Sequence, residues 1–326
     1  MPVAHTRSRW RARVVRELDL FYSAPHAADA DLDPWVRSAS GAVFFRGELA
    51  LAQDDAAAVA FVDVASGTAR AVLLPAGPGG RRRFDDELGN KHDKHDWEAV
   101  CVLELAGAPE LVLFGSGSAD ARNVAMIVER TERGPSRLVD LTQLYAVLRA
   151  APALGGGELN VEGVHASDAS MFFVCRGNGL LPSGERVPNL LFEIALADFS
   201  AFVEGGPVPA LHSVRALDLG ALGPADRPVP LSITDVTRWR APGALLFAAA
   251  AEDSPDATRD GVVLGSVLAV LAGDTLEVID VPTSHPVKIE GVTLDPQRPD
   301  HVFAVTDPDN PHAPAKLLEI ELTVAD

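Results

Sequence analysis

A short phrase that returns five times, four strand-like runs behind each return, and turn residues between the runs together predict an all-β chain. The expected fold is one domain over residues 1–326, a five-bladed β-propeller. The phrase reads Trp97-Glu98-Ala99-Val100, Val161-Glu162-Gly163-Val164 and Ile289-Glu290-Gly291-Val292. Two degenerate copies are Ser38-Ala39-Ser40-Gly41-Ala42-Val43 and Ser232-Ile233-Thr234-Asp235-Val236. Equivalent positions of a radial repeat face one axis, so Ser40, Glu98, Glu162, Thr234 and Glu290 are expected to converge at the starts of five inner strands.

The first unit runs through Ala42–Phe45, Leu49–Ala52, Val59–Val64 and Ala71–Leu74, short apolar runs parted by Gly, Asp and Ser. The second gives Ala99–Leu105, Leu111–Phe114, Val124–Glu129 and Leu138–Leu141. The third gives Val161–Ala166, Met171–Cys175, Leu190–Ala195 and Val214–Leu219, and the fourth Ile233–Thr237, Leu245–Ala249, Val263–Val270 and Leu276–Val281. The last unit has only Ile289–Leu294, Val302–Val305 and Leu317–Leu322. Its fourth strand is expected from the N-terminal segment at about 13–20, whose alternation from Arg13 to Leu20 suits an outer edge and would remove an exposed sheet edge. A six-bladed ring is the alternative. Repeat positions lie about 56 to 72 residues apart, longer than a blade of about 40 to 45. The excess falls in loops rich in Gly, Pro or charge: Ala76–Asp96, Ala151–Leu159, Gly177–Pro188, Gly220–Pro230 and Glu252–Asp260. Asp140–Ala150 holds a helical turn; other helix signals are few.

An apolar fraction of 47% is enough for a large core, while no apolar run is long enough to cross a bilayer and the arginines before Arg13 are not followed by a signal-type apolar stretch. The expectation is a cytoplasmic protein without a membrane partner. Cys101 and Cys175 each sit in an apolar run, where buried reduced thiols are expected. A net charge of −18 with dispersed arginines excludes a phosphate-binding stripe, and so nucleic acid, and suits cation binding. Oligomeric state is not legible.

Three carboxylates pushed together without a cation repel one another and shift toward protonation. Ca2+ takes oxygen ligands in loose geometry, and carboxylates with hydroxyls suit it better than they suit Zn2+. The loops from second to third strand should ring this centre with Asp54, Asp55, Ser116, Ser118, Arg122, Arg176, Asn178, Glu252, Asp253, Asp307 and Asp309.

The order Ser, Glu, Glu, Thr, Glu at five strand starts resembles the central site of the five-bladed calcium-activated nucleotidase (apyrase) family, where the order is Ser, Glu, Glu, Ser, Glu. The resemblance implies that Ser40, Glu98, Glu162, Thr234 and Glu290 bind calcium directly or through water. It covers the strand starts and the repeat plan. The family's nucleotide-contacting segments have no match here; the chain also resembles gluconolactonase-like and paraoxonase-like propellers, with one central cation beneath a polar mouth, and phytase-like propellers, with a comparable Glu-Gly strand start.

Lys91-His92-Asp93-Lys94-His95-Asp96 leads into Glu98. Within it His92 or His95 is the candidate general base, and Lys91 or Lys94 a cationic stabiliser. Arg122 or Arg176 would steady developing negative charge. Gly115-Ser116-Gly117-Ser118 lacks the Lys-Ser/Thr end of a P-loop, and there is no Gly-x-Ser-x-Gly elbow. The expected activity is calcium-dependent hydrolysis of a small phosphoester, phosphotriester or lactone; the rival is a non-catalytic ligand- or protein-binding propeller with a structural calcium ion.

Overall fold

The computed structural model describes residues 2–23, 31–105, 107–128, 136–253 and 261–324. Glu129, the expected end of a strand, and 254–260 of the loop Glu252–Asp260 lie outside these residues. The chain is all-β and propeller-like. Each stretch of sequence between repeat positions folds as an antiparallel meander, beginning with Ala39–Phe45, Glu48–Gln53, Ala58–Val62 and Thr68–Leu73, with Phe21–Tyr22 added in parallel outside the last. Trp97–Leu105, Ala108–Gly115, Val124–Ile127 and Arg137–Asp140 form the second. Val161–Ala166, Ser170–Cys175, Asn189–Ala195 and Ser213–Asp218 form the third, and Val229–Arg238, Leu245–Asp253, Val262–Ala272 and Thr275–Asp280 the fourth.

Lys288–Leu294, His301–Asp307 and Lys316–Val324 are completed by Trp10–Asp19, antiparallel to Lys316–Val324. The strand Val3–Arg7 was not expected. It pairs in parallel with both Ser213–Asp218 and Thr275–Asp280, joining the third and fourth meanders into one continuous sheet.

The apolar cores lie between consecutive sheets. Phe114, Phe173 and Phe192 meet between the second and third, and Val174, Leu231 and Phe247 between the third and fourth. Leu246, Ile289 and Ile320 fill the next interface, Leu49, Phe303 and Leu317 the one between last and first, and Phe61, Trp97 and Leu113 the one between first and second. Because first and last sheets share a core, the arrangement closes on itself. Inner strands are therefore buried on both faces, whereas Trp10–Asp19 at the rim alternates.

Two α-helices occur among the described residues. Thr142–Arg149 buries Leu144, Tyr145 and Leu148, in the span expected to hold a helical turn. Leu196–Val203 was not anticipated, although Leu196, Phe199 and Val203 at three- and four-residue spacing carry the signal, and Phe199 is buried. No helix among the described residues is long and apolar enough to cross a membrane.

The repeat residues sit at the second or third position of four inner strands, and Thr234 further into Val229–Arg238, and the phrase marks more than a strand start. In all five inner strands the pairing register slips by one residue, between Ala39 and Gly41, Trp97 and Ala99, Val161 and Gly163, Ile233 and Asp235, and Ile289 and Gly291. The residue skipped is the repeat residue each time: Ser40, Glu98, Glu162, Thr234 or Glu290. Each is a β-bulge, a residue outside the ladder whose side chain is re-aimed. The small residue after the bulge has its own reason. A Cβ on Gly163 would sit 2.7 Å from the Val236 nitrogen, and one on Gly291 2.9 Å from the Gly41 carbonyl carbon, so neighbouring inner strands touch backbone to backbone.

Gly163→Ala is thus expected to destabilise the fold by about 1–3 kcal/mol through overpacking. Denaturant unfolding measures it, and an unchanged midpoint would show that the inner strands can part at no cost.

Candidate axial carboxylate site

The bulges of three inner strands carry Glu98, Glu162 and Glu290 to one place, where each offers an oxygen and these lie within 4.8 Å of one another. All three are buried. Ser40 and Thr234 occupy the matching bulges. Their hydroxyls donate to the backbone, Ser40 to the Ser38 carbonyl at 3.1 Å and Thr234 to the Ile289 carbonyl at 2.7 Å, which leaves lone pairs on both oxygens.

Cations of the chain itself stand among the carboxylates and offset part of their repulsion. Arg176, at the end of the second strand of its sheet, is buried with NH1 3.3 Å from Glu162 and 3.5 Å from Glu290, and donates from NH2 to Glu252 at 2.8 Å. Lys288 is buried too, its Nζ 3.2 Å from Glu290, 3.5 Å from Glu252 and 2.9 Å from Asp309. Asn160 donates to Glu162 at 2.6 Å. Arg176 is therefore engaged by carboxylates rather than free to clamp a substrate anion.

A second acidic group adjoins the first through Glu98, with oxygens of Asp54, Asp96 and Glu98 also within 4.8 Å of one another. Lys94 Nζ lies 2.6 Å from Asp54, 3.0 Å from Asp55 and 2.9 Å from Asp96. Arg122 donates to Asp96 and to Ser118, both at 2.7 Å, and Ser116 also donates to Asp96. Lys94 and Arg122 are thus ion-paired like Arg176. Lys91 approaches Asp86 at 3.6 Å. His92 stands largely exposed beside Asp93, whereas His95 packs its ring 5.2 Å from that of Trp97 with Nδ1 3.4 Å from the Ala121 carbonyl oxygen. The charged hexapeptide does not act as one mouth loop: Lys94 and Asp96 turn inward and His92 outward.

Compensation at the axis is incomplete. Glu98 takes no hydrogen bond or ion pair among the described residues. Burial, then the charges of Asp54, Glu162, Asp96 and Glu290, hold it well above the usual carboxylate range. Burial and Glu290 push Glu162 to about 7 despite Arg176 and Lys288, and burial with Asp309 pushes Asp307 to about 8. Asp54 is raised in the same way. Asp96 goes the other way, because Lys94, Asp54 and Arg122 together outweigh its burial. Glu290 Oε1 is buried and meets Lys288 and Arg176 as ion pairs at 3.2 and 3.5 Å. The donor set is all oxygen, without His or Cys, and so fits a hard cation such as Ca2+. Arg176 and Lys288 limit the room for a second positive charge beside Glu162 and Glu290, so Glu98 is the carboxylate with most left to offer.

Sequence reading missed Lys288 and Asn160. Both stand two residues before a repeat position, as do Ser38, Asp96 and Ser232. Every residue at that offset is polar, which is the signal that would have found them. It also missed Asp235, which takes the place of glycine after its bulge and accepts hydrogen bonds from its own chain at Val236, 2.7 Å, and across the axis from Val292, 2.8 Å.

Among solved structures the chain is similar to glutaminyl cyclase of Myxococcus xanthus, with 13% identity over 100% of both chains and a TM-score of 0.47. It is also similar to the GH93 α-L-arabinofuranosidase of Fusarium graminearum in complex with arabinobiose, 10% identical over 94% of this chain and 98% of that one, TM-score 0.43. A third is the calcium structure of a Family AA12 carbohydrate-active enzyme of Trichoderma reesei, 13% identical over 100% and 98%, TM-score 0.40. No curated protein matches the sequence. A family model matches residues 35–322, and by that match the chain belongs to DUF6929, a family of unknown function.

Proposed function

We propose that the chain is a single-domain, five-bladed propeller whose axial carboxylates bind a divalent cation, Ca2+. In this reading it is a cytoplasmic, metal-dependent hydrolase of a small phosphoester, phosphotriester or lactone. The observation that carries the reading is the meeting of three bulge carboxylates from three inner strands, one of them, Glu98, without a partner. The five sheet-to-sheet cores support the blade count, and the free, buried Cys101 and Cys175 suit a reducing compartment.

Glu98, Glu162 and Glu290 would hold the ion, with the oxygens of Ser40 and Thr234 as further donors. When bound, it would supply Lewis-acid polarisation of a phosphoryl or carbonyl oxygen. His95 is a better base candidate than His92. With Nδ1–H donated to the Ala121 carbonyl, its Nε2 carries the lone pair that accepts a proton. Lys94, Arg122 and Arg176 act as positioning residues, since each is ion-paired to a carboxylate around the axis. Arg176 and Lys288 favour a second reading, in which the chain's own cations complete a purely structural charge network around the axis.

Calorimetric titration with Ca2+ separates the two. Binding should raise stability by about 2.7 kcal/mol at a hundredfold excess over Kd, and Glu98→Gln should weaken both binding and hydrolysis, measured against phosphotriester, phosphodiester, lactone and aryl ester substrates. Absence of binding, with a melting temperature indifferent to chelator, would leave the structural reading.

Stability against pH supplies an independent check. Glu162 and Asp307 have folded values of about 7 and about 8, above the roughly 4 of unfolded carboxylates. Their contribution is full below that unfolded value and is lost as pH rises through 7 and 8, because over this window the folded state holds the extra protons. In chelator the melting temperature should therefore fall between about pH 5 and pH 8. Ca2+ should flatten the part owed to Glu162, and an unchanged slope would show that the ion does not meet that carboxylate.

A further inference from the structure

The axis has another end. Immediately past the bulges the inner strands pinch together, where Gly163 meets the backbone at Val236, Gly291 meets that of Gly41, and Asp235 lies buried between hydrogen bonds to Val236 and Val292. Beyond this waist the same five strands open into a cavity of about 400 Å3. That is within the range of small-molecule sites.

Its wall is apolar, with Val43, Phe45, Val100, Val102, Val164 and Val236 among the lining residues. The polar groups that reach it are Arg46, Arg238, His165, Thr237 and Thr293. No Asp or Glu lines it, in a chain with 46 acidic residues against 28 basic ones. Nor does either arginine form an ion pair among the described residues; Arg46 only lies over the Phe45 ring, 5.2 Å from its centroid. His165, stacked on Phe172 with 6.5 Å between centroids, is pushed down to about 4 by burial and then by Arg238. It is thus a neutral hydrogen-bonding group beside two unpaired cations.

We propose that this end of the axis is a second binding site, for a small organic anion with an apolar body, a medium-chain or aryl carboxylate. The carboxylate would meet Arg238 and Arg46, whose guanidinium forks match its two oxygens, and the hydrocarbon would cover the valines. The contrast with the carboxylate end is one of sign, since that end attracts cations and this one anions. The inference does not rest on the calcium reading, because no residue is shared.

The test is calorimetric titration of the whole chain, in chelator and at neutral pH, with octanoate, octan-1-ol and octylammonium. Octanoate should bind, the alcohol should bind at least about tenfold more weakly for want of charge-assisted hydrogen bonds, and octylammonium should not bind. Arg238→Gln, an exposed position, should cost about tenfold in octanoate affinity. Ala166→Trp, which fills the cavity, should abolish binding, with unfolding curves checking that both variants fold. Glu98→Gln and added Ca2+ should leave octanoate affinity unchanged. The proposal is overturned if octanoate fails to bind, if the alcohol matches it, if both Arg238→Gln and Ala166→Trp bind like the parent, or if Glu98→Gln removes binding and so places the anion at the opposite end.

Discussion

Backbone contact between neighbouring inner strands is the constraint on which the rest of this structure depends. At Gly41, Gly163 and Gly291 one inner strand comes within van der Waals distance of the next, and a bulge precedes each of these glycines. The bulge frees one residue from the ladder and aims it toward the axis, while a small following residue lets the next backbone in. Glycine does this at 41, 163 and 291 and alanine at 99. At 235 the chain uses aspartate, whose carboxylate ties the fourth inner strand to the fifth through the Val292 amide.

Delivering acidic side chains to a buried axis carries a large electrostatic penalty, and the structure meets it with cations drawn from elsewhere in the ring. Arg176 joins Glu162, Glu252 and Glu290, which belong to three different meanders, and Lys288 reinforces two of them. Lys94 does the same for Asp54 and Asp96. Buried pairs of this kind add little net stability compared with an apolar core, but removing one partner leaves a charge uncompensated. They therefore specify how neighbouring sheets sit on one another more than they strengthen the fold. Glu98, flanked by both networks and satisfied by neither, is where the compensation runs out and where chemistry has most to work with.

The same pinch divides the axis into two environments. On one side carboxylates dominate and several are held above their usual range by burial and by one another. On the other, valine walls meet two arginines without acidic partners. A chain of strongly negative charge has kept acids away from that cavity, and this segregation follows from the course of each inner strand along the axis: residues before the bulge and residues after it line opposite ends.

Much of this was legible in the residues. The repeat phrase located the five inner strands, its carboxylates marked the axis, and apolar runs with Gly and Asp turns marked the strands behind them, because burial on both faces and tight connections leave local signatures. Polar residues two before each repeat position carried the same information for Lys288 and Asn160, unread. What the residues alone did not determine is anything that depends on partners far apart in the chain. That Arg176 would neutralise Glu252 and Glu290, that Lys94 would turn inward while His92 turned out, that Val3–Arg7 would bridge two sheets, and that Glu98 alone would stay unpartnered were settled by tertiary structure. Charge compensation in a low-dielectric interior is decided by distances of a few ångströms, several of them between residues as far apart in the chain as Arg176 and Glu290, and only the closed ring sets those distances.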